Sequence, residues 1–250
     1  MNIQFIRHAT FILEINNKKL LVDPVLSPMG TMTPIENVPN QNNNPLVALP
    51  VPVESIIDCD AIIVTHTHRD HFDDKAAELL PKELPLFCQR EDETKIRAFG
   101  FVNVIPVKDH FEWEGIHIIR TKGKHGHGVI AFKMAPVSGF VISASDEPSV
   151  YVMGDSVWCS YTEKALLKYA PEFVISNCGE AKFAYGRAIT MNAPDILSIC
   201  QKSPSVKVIA VHMEAWNHCR LSREALRDFT ILHSIEKQVH IPADGELIIG

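Results

Sequence analysis

No apolar run in the 250 residues approaches the roughly 20 needed to cross a bilayer, so no membrane association is expected. The N-terminus lacks a basic n-region followed by an apolar h-region. Instead, Met1-Asn2-Ile3-Gln4-Phe5-Ile6 passes directly into a strand-like alternation, so no signal peptide is predicted. The six cysteines (Cys59, Cys88, Cys159, Cys178, Cys200 and Cys219) form no C-x-x-C pair and no disulfide-framework spacing. Reduced thiols and a missing leader together predict a cytoplasmic chain. An excess of positive charge is also absent. With 24 Lys and Arg against 30 Asp and Glu, the net charge is −6, and no nucleic-acid partner is expected. There is no G-x-S-x-G elbow to carry a serine nucleophile. No low-complexity tract or linker divides the chain. Its 46% hydrophobic and 22% charged residues fit one ordinary globular domain over 1–250.

What is present begins with buried strands. Ile3 to Ile15 reads as one strand, Asn16-Asn17 as a turn, and Lys19 to Asp23 as the return, stopped by Pro24. Residues 27–55 are rich in Pro and Asn and lack periodicity. A loop of that length inside a domain is usually functional. Ala61–Val64, Leu84–Cys88, Val102–Val107, Ile116–Thr121, Val137–Ser143, Val150–Met153, Phe173–Ser176 and Val206–Val211 read as further strands. Helices are expected from an Asp73 cap to Leu80, over 91–99 closed by Gly100, and over 161–169, 194–201 and 222–235. Strands followed by helices in both halves suggest two packed sheets with helices outside.

The dominant chemical signal is His66-x-His68-x-Asp70-His71, at the end of the Ala61–Val64 strand. Neutral imidazoles and a carboxylate are natural ligands of zinc and related divalent ions. Three histidines and an aspartate within six residues exceed what one tetrahedral ion takes from a single loop. Two neighbouring ions suit them better, His66 and His68 on one, Asp70 and His71 on the other. Three further candidates follow strands in the same way: His125 between glycines, Asp155 after Tyr151-Val152-Met153-Gly154, and His212 after Val208-Ile209-Ala210-Val211.

This succession resembles the metallo-β-lactamase superfamily, over essentially the whole chain. The resemblance implies an α+β fold, a four-layer αββα sandwich with the site at one edge. It also implies a first ion held by His66, His68 and His125, a second held by Asp70, His71 and His212, and Asp155 bridging them. Zinc is the first choice for both ions, with manganese or iron as alternatives. Arg7-His8-Ala9-Thr10-Phe11, Leu21-Val22-Asp23-Pro24, Gly154-Asp155-Ser156 and Val211-His212-Met213-Glu214 look like the L-ascorbate-6-phosphate lactonase-like branch. His68 stands where diiron redox relatives carry a glutamate, which favours hydrolysis.

The function implied is hydrolysis of a small-molecule ester, lactone, amide or phosphate ester by a metal-activated water, with Asp70 as the catalytic residue that orients it. A phosphodiesterase or nuclease-type activity and a non-catalytic metal-binding protein are the alternatives. His127 competes with His125 for the third position on the first ion, and the Gly-x-His-Gly setting favours His125. His8, Asp23, Asn217 and His218 are candidates to support a ligand or touch substrate. Asp23 is the best placed to orient a ligand histidine. The substrate pocket is expected from residues 27–55 and the loops near 185–191 and 214–218, with Trp216, Asn44, Asn217 and Arg187 in its lining.

Overall fold

The computed structural model describes residues 1–249. Strands β1 (Asn2–Arg7), β2 (Thr10–Ile15), β3 (Lys18–Val22), β4 (Ala61–Val64), β5 (Leu86–Gln89) and β6 (Val104–Val107) come first and pair in that order. Strands β7 (His110–Trp113), β8 (Ile116–Lys122), β9 (Ser138–Ala144), β10 (Val150–Val152), β11 (Phe173–Asn177), β12 (Lys207–Val211) and β13 (Val239–His240) form the second sheet, again in chain order. The last strand, β14 (Leu247–Ile249), returns to the first sheet beside β1. Both sheets are antiparallel over their first strands and parallel afterwards, from β3 to β6 and from β10 to β13. Among the described residues lie seven α-helices: α1 (Val53–Ile57), α2 (Asp74–Leu79), α3 (Glu93–Ala98), α4 (Gly128–Met134), α5 (Ser160–Tyr169), α6 (Ala193–Lys202) and α7 (Arg223–Leu232).

Side-chain alternation creates the layers. Successive strand residues point to opposite faces, and here both faces are covered. Ala61 and Ile63 of β4 pack between the sheets with Phe5, Phe11, Leu13, Phe140, Ile142 and Ile209. Their neighbours Ile62 and Val64 face outward against Ala76 and Ala77 of α2 and Ile96 of α3. In β12, Ile209 and Val211 enter the central layer, whereas Val208 and Ala210 meet α5, α6 and α7 through Leu166, Ile196, Ile199 and Leu226. Parallel strands covered on both faces read as continuous apolar runs, which is why Ala61–Val64 and Val208–Val211 stand out in the sequence. Burying each Val, Ile or Phe side chain contributes about 1.5–3 kcal/mol. The result is the four-layer αββα sandwich.

Local signals end the elements where expected. Asp73 caps α2 by accepting from the Ala76 amide, and it also accepts from Leu26 N and Ser27 N at the start of the long loop. Gly100, at φ 92°, follows α3. Three readings change. Residues 3–15 are two strands, not one: the chain reverses at His8 and Ala9, with His8 at φ 61°. No Gly, Asn or Pro marks that turn. The helix expected over 222–235 stops at Leu232, because Ser234 takes φ 57°. Residues 27–55 are not wholly irregular, since Met32 and Asn44 form a bridge and α1 begins at Val53.

Candidate metal centre

Five separate segments deliver side chains to one end of the sandwich. The β1–β2 turn supplies His8, and the segment after β4 supplies His66, His68, Asp70 and His71. His125 follows β8, Asp155 follows β10 and His212 follows β12. All eight are buried except His68, which is half-buried. Their donor atoms fall into overlapping groups whose members lie within 4.8 Å of one another: His66, His68 and His125; His66, His71 and Asp155; and His8, Asp70, His71 and His212.

Asp155 spans the groups. Its Oδ1 is 3.2 Å from His71 Nε2 and 3.3 Å from His212 Nε2, while its Oδ2 is 3.4 Å from His125 Nε2. Asn177, at the end of β11, donates to Oδ1 at 2.9 Å and holds the carboxylate in place. Gly154 makes the approach from β10 feasible. It has φ 62°, and a Cβ there would lie 2.4 Å from the Ser138 carbonyl oxygen.

The second nitrogen of most rings is engaged, which orients the free one. His71 Nδ1 is 2.7 Å from Asp23 Oδ2, and Asp23 also accepts from Thr65 N and Thr65 Oγ1 at 2.7 Å each. His125 Nδ1 donates to the Ile189 carbonyl at 2.8 Å. His66 Nδ1 is 3.1 Å from Thr65 Oγ1, which leaves its Nε2 3.0 Å from His68 Nδ1. Asp92 grips Thr67, between two histidines of the motif, through bonds from Thr67 N and Oγ1 at 3.0 and 2.8 Å.

The electrostatics fit a cation. Burial holds His66 and His8 well below the ordinary histidine range, and it also lowers His68 and His125, so these rings stay neutral as ligands must be. Burial opposes charge on Asp70 and Asp155 too, yet the surrounding histidines keep both carboxyls well below their usual value. His71 is the mirror case. Burial works against its protonation, but Asp155 and Asp23 outweigh it and raise the ring to about 10. Burial also opposes protonation of His212, and Asp155 and Asp70 again outweigh it and raise the ring, so both histidines answer the buried acids. His71 Nε2, His212 Nε2 and both nitrogens of His8 are buried with no hydrogen-bond partner. Leaving such groups unpaired costs about 1–3 kcal/mol each, and a cation held by one nitrogen of each ring would remove most of that cost. The residues therefore fit a metal centre.

A cavity of about 330 Å³ opens onto this cluster. His68, Asp70, His125 and His218 line it together with Ile35, Met134, Phe183 and Ile189. Its two cations are both engaged: Lys95 Nζ donates to the Thr67 carbonyl, and Arg69 donates to Thr33 Oγ1, Thr33 O and Pro34 O.

The description "Beta-lactamase superfamily domain" matches residues 18–213. The chain belongs to that superfamily. Within the superfamily it is 39% identical to the UPF0173 protein YddR of Bacillus subtilis over 98% of both chains. Among solved structures, this superfamily member resembles an isothiocyanate hydrolase from Delia radicum gut bacteria, with 36% identity, a TM-score of 0.96 and coverage of 100% of this chain and 99% of the other. A possible metal-dependent hydrolase from Veillonella parvula gives 38% identity and a TM-score of 0.96, over 99% of this chain and 98% of that one. The chain is a metal-dependent hydrolase of the UPF0173 family.

Geometry sorts the candidates further. His66, His68, Asp70, His71, His125, Asp155 and His212 are brought together, with Asp23 behind His71. His127 is not: it heads α4 and belongs to none of the donor groups. His218 lines the cavity, 3.5 Å from Asp70 Oδ2. Asn217 does not. Its amide is spent on Ile35 N, Ile35 O, Asn40 O and Asn44 Nδ2, so it anchors the long loop. Asn44 shares that role, Trp216 is buried with Val25 and Ala215, and Arg187 is absent from the lining. Lys95, Met134, Phe183 and Asp92 escaped the sequence reading. The apolar run Val129-Ile130-Ala131-Phe132 just after His125 is the one signal that pointed toward Met134.

Proposed function

We propose that this chain is a binuclear hydrolase of a small, neutral, largely apolar electrophile, with an isothiocyanate as the first substrate to test. The observation that carries this reading is the pair of donor groups joined through Asp155, whose His68, Asp70 and His125 line a cavity with an apolar wall. His66, His68 and His125 would hold one ion, Asp70, His71 and His212 the other, with Asp155 between them and zinc as the first candidate. When bound, such ions lower the pKa of water toward about 7 and polarise an electrophile.

The chain's own residues do the rest. Ile35, Met134, Phe183 and Ile189 take the apolar arm and exclude water from it. Asp70, on the cavity floor, orients the attacking water and accepts its proton. His218 stands beside Asp70 and donates to the heteroatom on which negative charge grows. For an isothiocyanate, the water oxygen bonds to the central carbon, the carbon–nitrogen bond breaks, and both water protons end on nitrogen. The products are an amine and carbonyl sulfide.

The identity to the isothiocyanate hydrolase over the full chain supports this choice. A lactone, as the L-ascorbate-6-phosphate lactonase-like motifs suggest, is the second substrate class for the same floor and wall. A phosphate ester is disfavoured, because Lys95 and Arg69 are already committed to backbone carbonyls and Thr33. The test is turnover of an arylalkyl isothiocyanate, a lactone and a phosphodiester by metal-replete protein, with metal counted by elemental analysis. Loss of isothiocyanate in the wild type and none in Asp70→Asn, at equal fold and metal content, is the expected result. A two-metal protein that turns over none of the three would replace this reading with a non-catalytic metal-binding role.

A further inference from the structure

We propose that His8 is a direct ligand of the second ion, completing the set formed by Asp70, His71 and His212. The proposal rests on the two-ion reading above. The resemblance that identifies the other ligands assigns His8 no such place, and Arg7-His8-Ala9-Thr10-Phe11 marks only the branch.

Four observations converge. First, His8 is fully buried and neither ring nitrogen has a hydrogen-bond partner. A buried imidazole with two unpaired nitrogens is costly unless something else satisfies it. Second, His8 Nε2 is 3.6 Å from Asp70 Oδ2. That is too long for a hydrogen bond, which runs about 2.7–3.2 Å. Ligand atoms about 2.1 Å from one four- or five-coordinate ion stand roughly 3.0–3.6 Å apart. His212 Nε2 lies at the same 3.6 Å from the same oxygen. Third, His8, Asp70, His71 and His212 all place a donor atom within 4.8 Å of one another, whereas His218, 3.5 Å from Asp70, joins no such group. Fourth, the backbone aims the ring. His8 has φ 61°, and its carbonyl accepts from His212 N at 2.8 Å, so the two rings lie against each other, tilted by 37°, with centroids 3.7 Å apart.

The consequence is an asymmetric pair. With Asp155 shared, the second ion would have five protein donors and the first four, so the second would be the more enclosed. The cavity leans the same way: His68 and His125 of the first set line it, whereas Asp70 alone of the second set does.

Cobalt(II) tests the assignment without recourse to activity. Ring protons of imidazoles bound to high-spin cobalt shift far outside the ordinary proton range, so bound histidines can be counted in the full-length protein loaded with two equivalents. Without His8 the ligand histidines are five: His66, His68, His71, His125 and His212. With His8 they are six. Six shifted sets in the wild type, one of them missing in His8→Gln, is the expected result. The second ion should also weaken more than about 100-fold in that variant, beyond the 10–100-fold typical of a residue that only orients a ligand. Five sets in the wild type overturn the proposal, and that count stands even if His8→Gln folds poorly. A wild type that binds a single cobalt ion defeats the two-ion reading by itself. In that case, loss of a shifted set in His8→Gln still supports His8 as a ligand, and an unchanged spectrum overturns it.

Discussion

Replacing Asp23 by Asn should weaken the second ion sharply while leaving the fold intact. Asp23 is buried and receives three hydrogen bonds, from Thr65 N, Thr65 Oγ1 and His71 Nδ1, each at 2.7 Å. An asparagine fills the same volume but can keep only one acceptor oxygen. If that oxygen stays with Thr65 N, the new amide NH₂ faces His71 Nδ1. The ring must then accept there and move its proton to Nε2, the nitrogen that points at Asp155. A protonated Nε2 cannot bind a cation. Loss of such an orienting partner costs about 10–100-fold in metal affinity, or about 1.4–2.7 kcal/mol, and the tautomer argument places Asp23→Asn near the upper end. Losing hydrogen bonds to a charged acceptor should also lower metal-free stability by about 1.5–3 kcal/mol. Competition with a chelator measures the first quantity and denaturant unfolding the second. Wild-type affinity in Asp23→Asn would refute the reasoning, because it would mean that packing alone orients His71.

The two glycine-flanked histidines should separate cleanly. His125→Ala should lower bound metal, whereas His127→Ala, at the head of α4, should leave metal content unchanged by elemental analysis. Gly154→Ala would set a Cβ 2.4 Å from the Ser138 carbonyl at a φ of 62°, so it should cost at least about 1–3 kcal/mol of stability and displace Asp155, seen as a lower unfolding midpoint with weaker metal binding. For metal-free protein, burial lowers His8, His66, His68 and His125 below their ordinary 6.5. Unfolded chain therefore binds more protons than native chain below that value. Their contribution is present above pH 6.5 and is lost as pH falls through it. His71, raised to about 10, has the opposite sign: its contribution is present below 6.5 and lost as pH rises toward 10. Metal-free unfolding midpoints should therefore fall on acidification below about 6.5, and a flat profile there would contradict the burial of the four rings.

Much of the framework is legible in the linear chain because its physics is local. Ala61–Val64 and the run ending at Val211 announce themselves as doubly buried strands, since parallel strands inside a sandwich need apolar residues on both faces. Caps such as Asp73 and the closing Gly100 act over one helical turn. The β1–β2 reversal was not legible. His8 and Ala9 carry none of the usual turn chemistry, and the left-handed backbone at His8 is held by the His212 amide, 204 positions further along the chain.

The same division runs through the site. Which residue types could hold metal is readable along the linear chain, because His66-x-His68-x-Asp70-His71 concentrates donors within one loop at a strand end. Which distant groups join them depends on the fold. It chose His125 over His127, put Asp23 behind His71, brought His8 against Asp70, and turned Asn217 away to anchor a loop. It also built the apolar wall of Ile35, Met134, Phe183 and Ile189 from three separate segments. The physical reason is range. Ligand type and strand burial are set by side-chain chemistry and short periodicities, whereas the meeting of donors across the sandwich depends on sheet order and on backbone contacts between residues far apart in the chain.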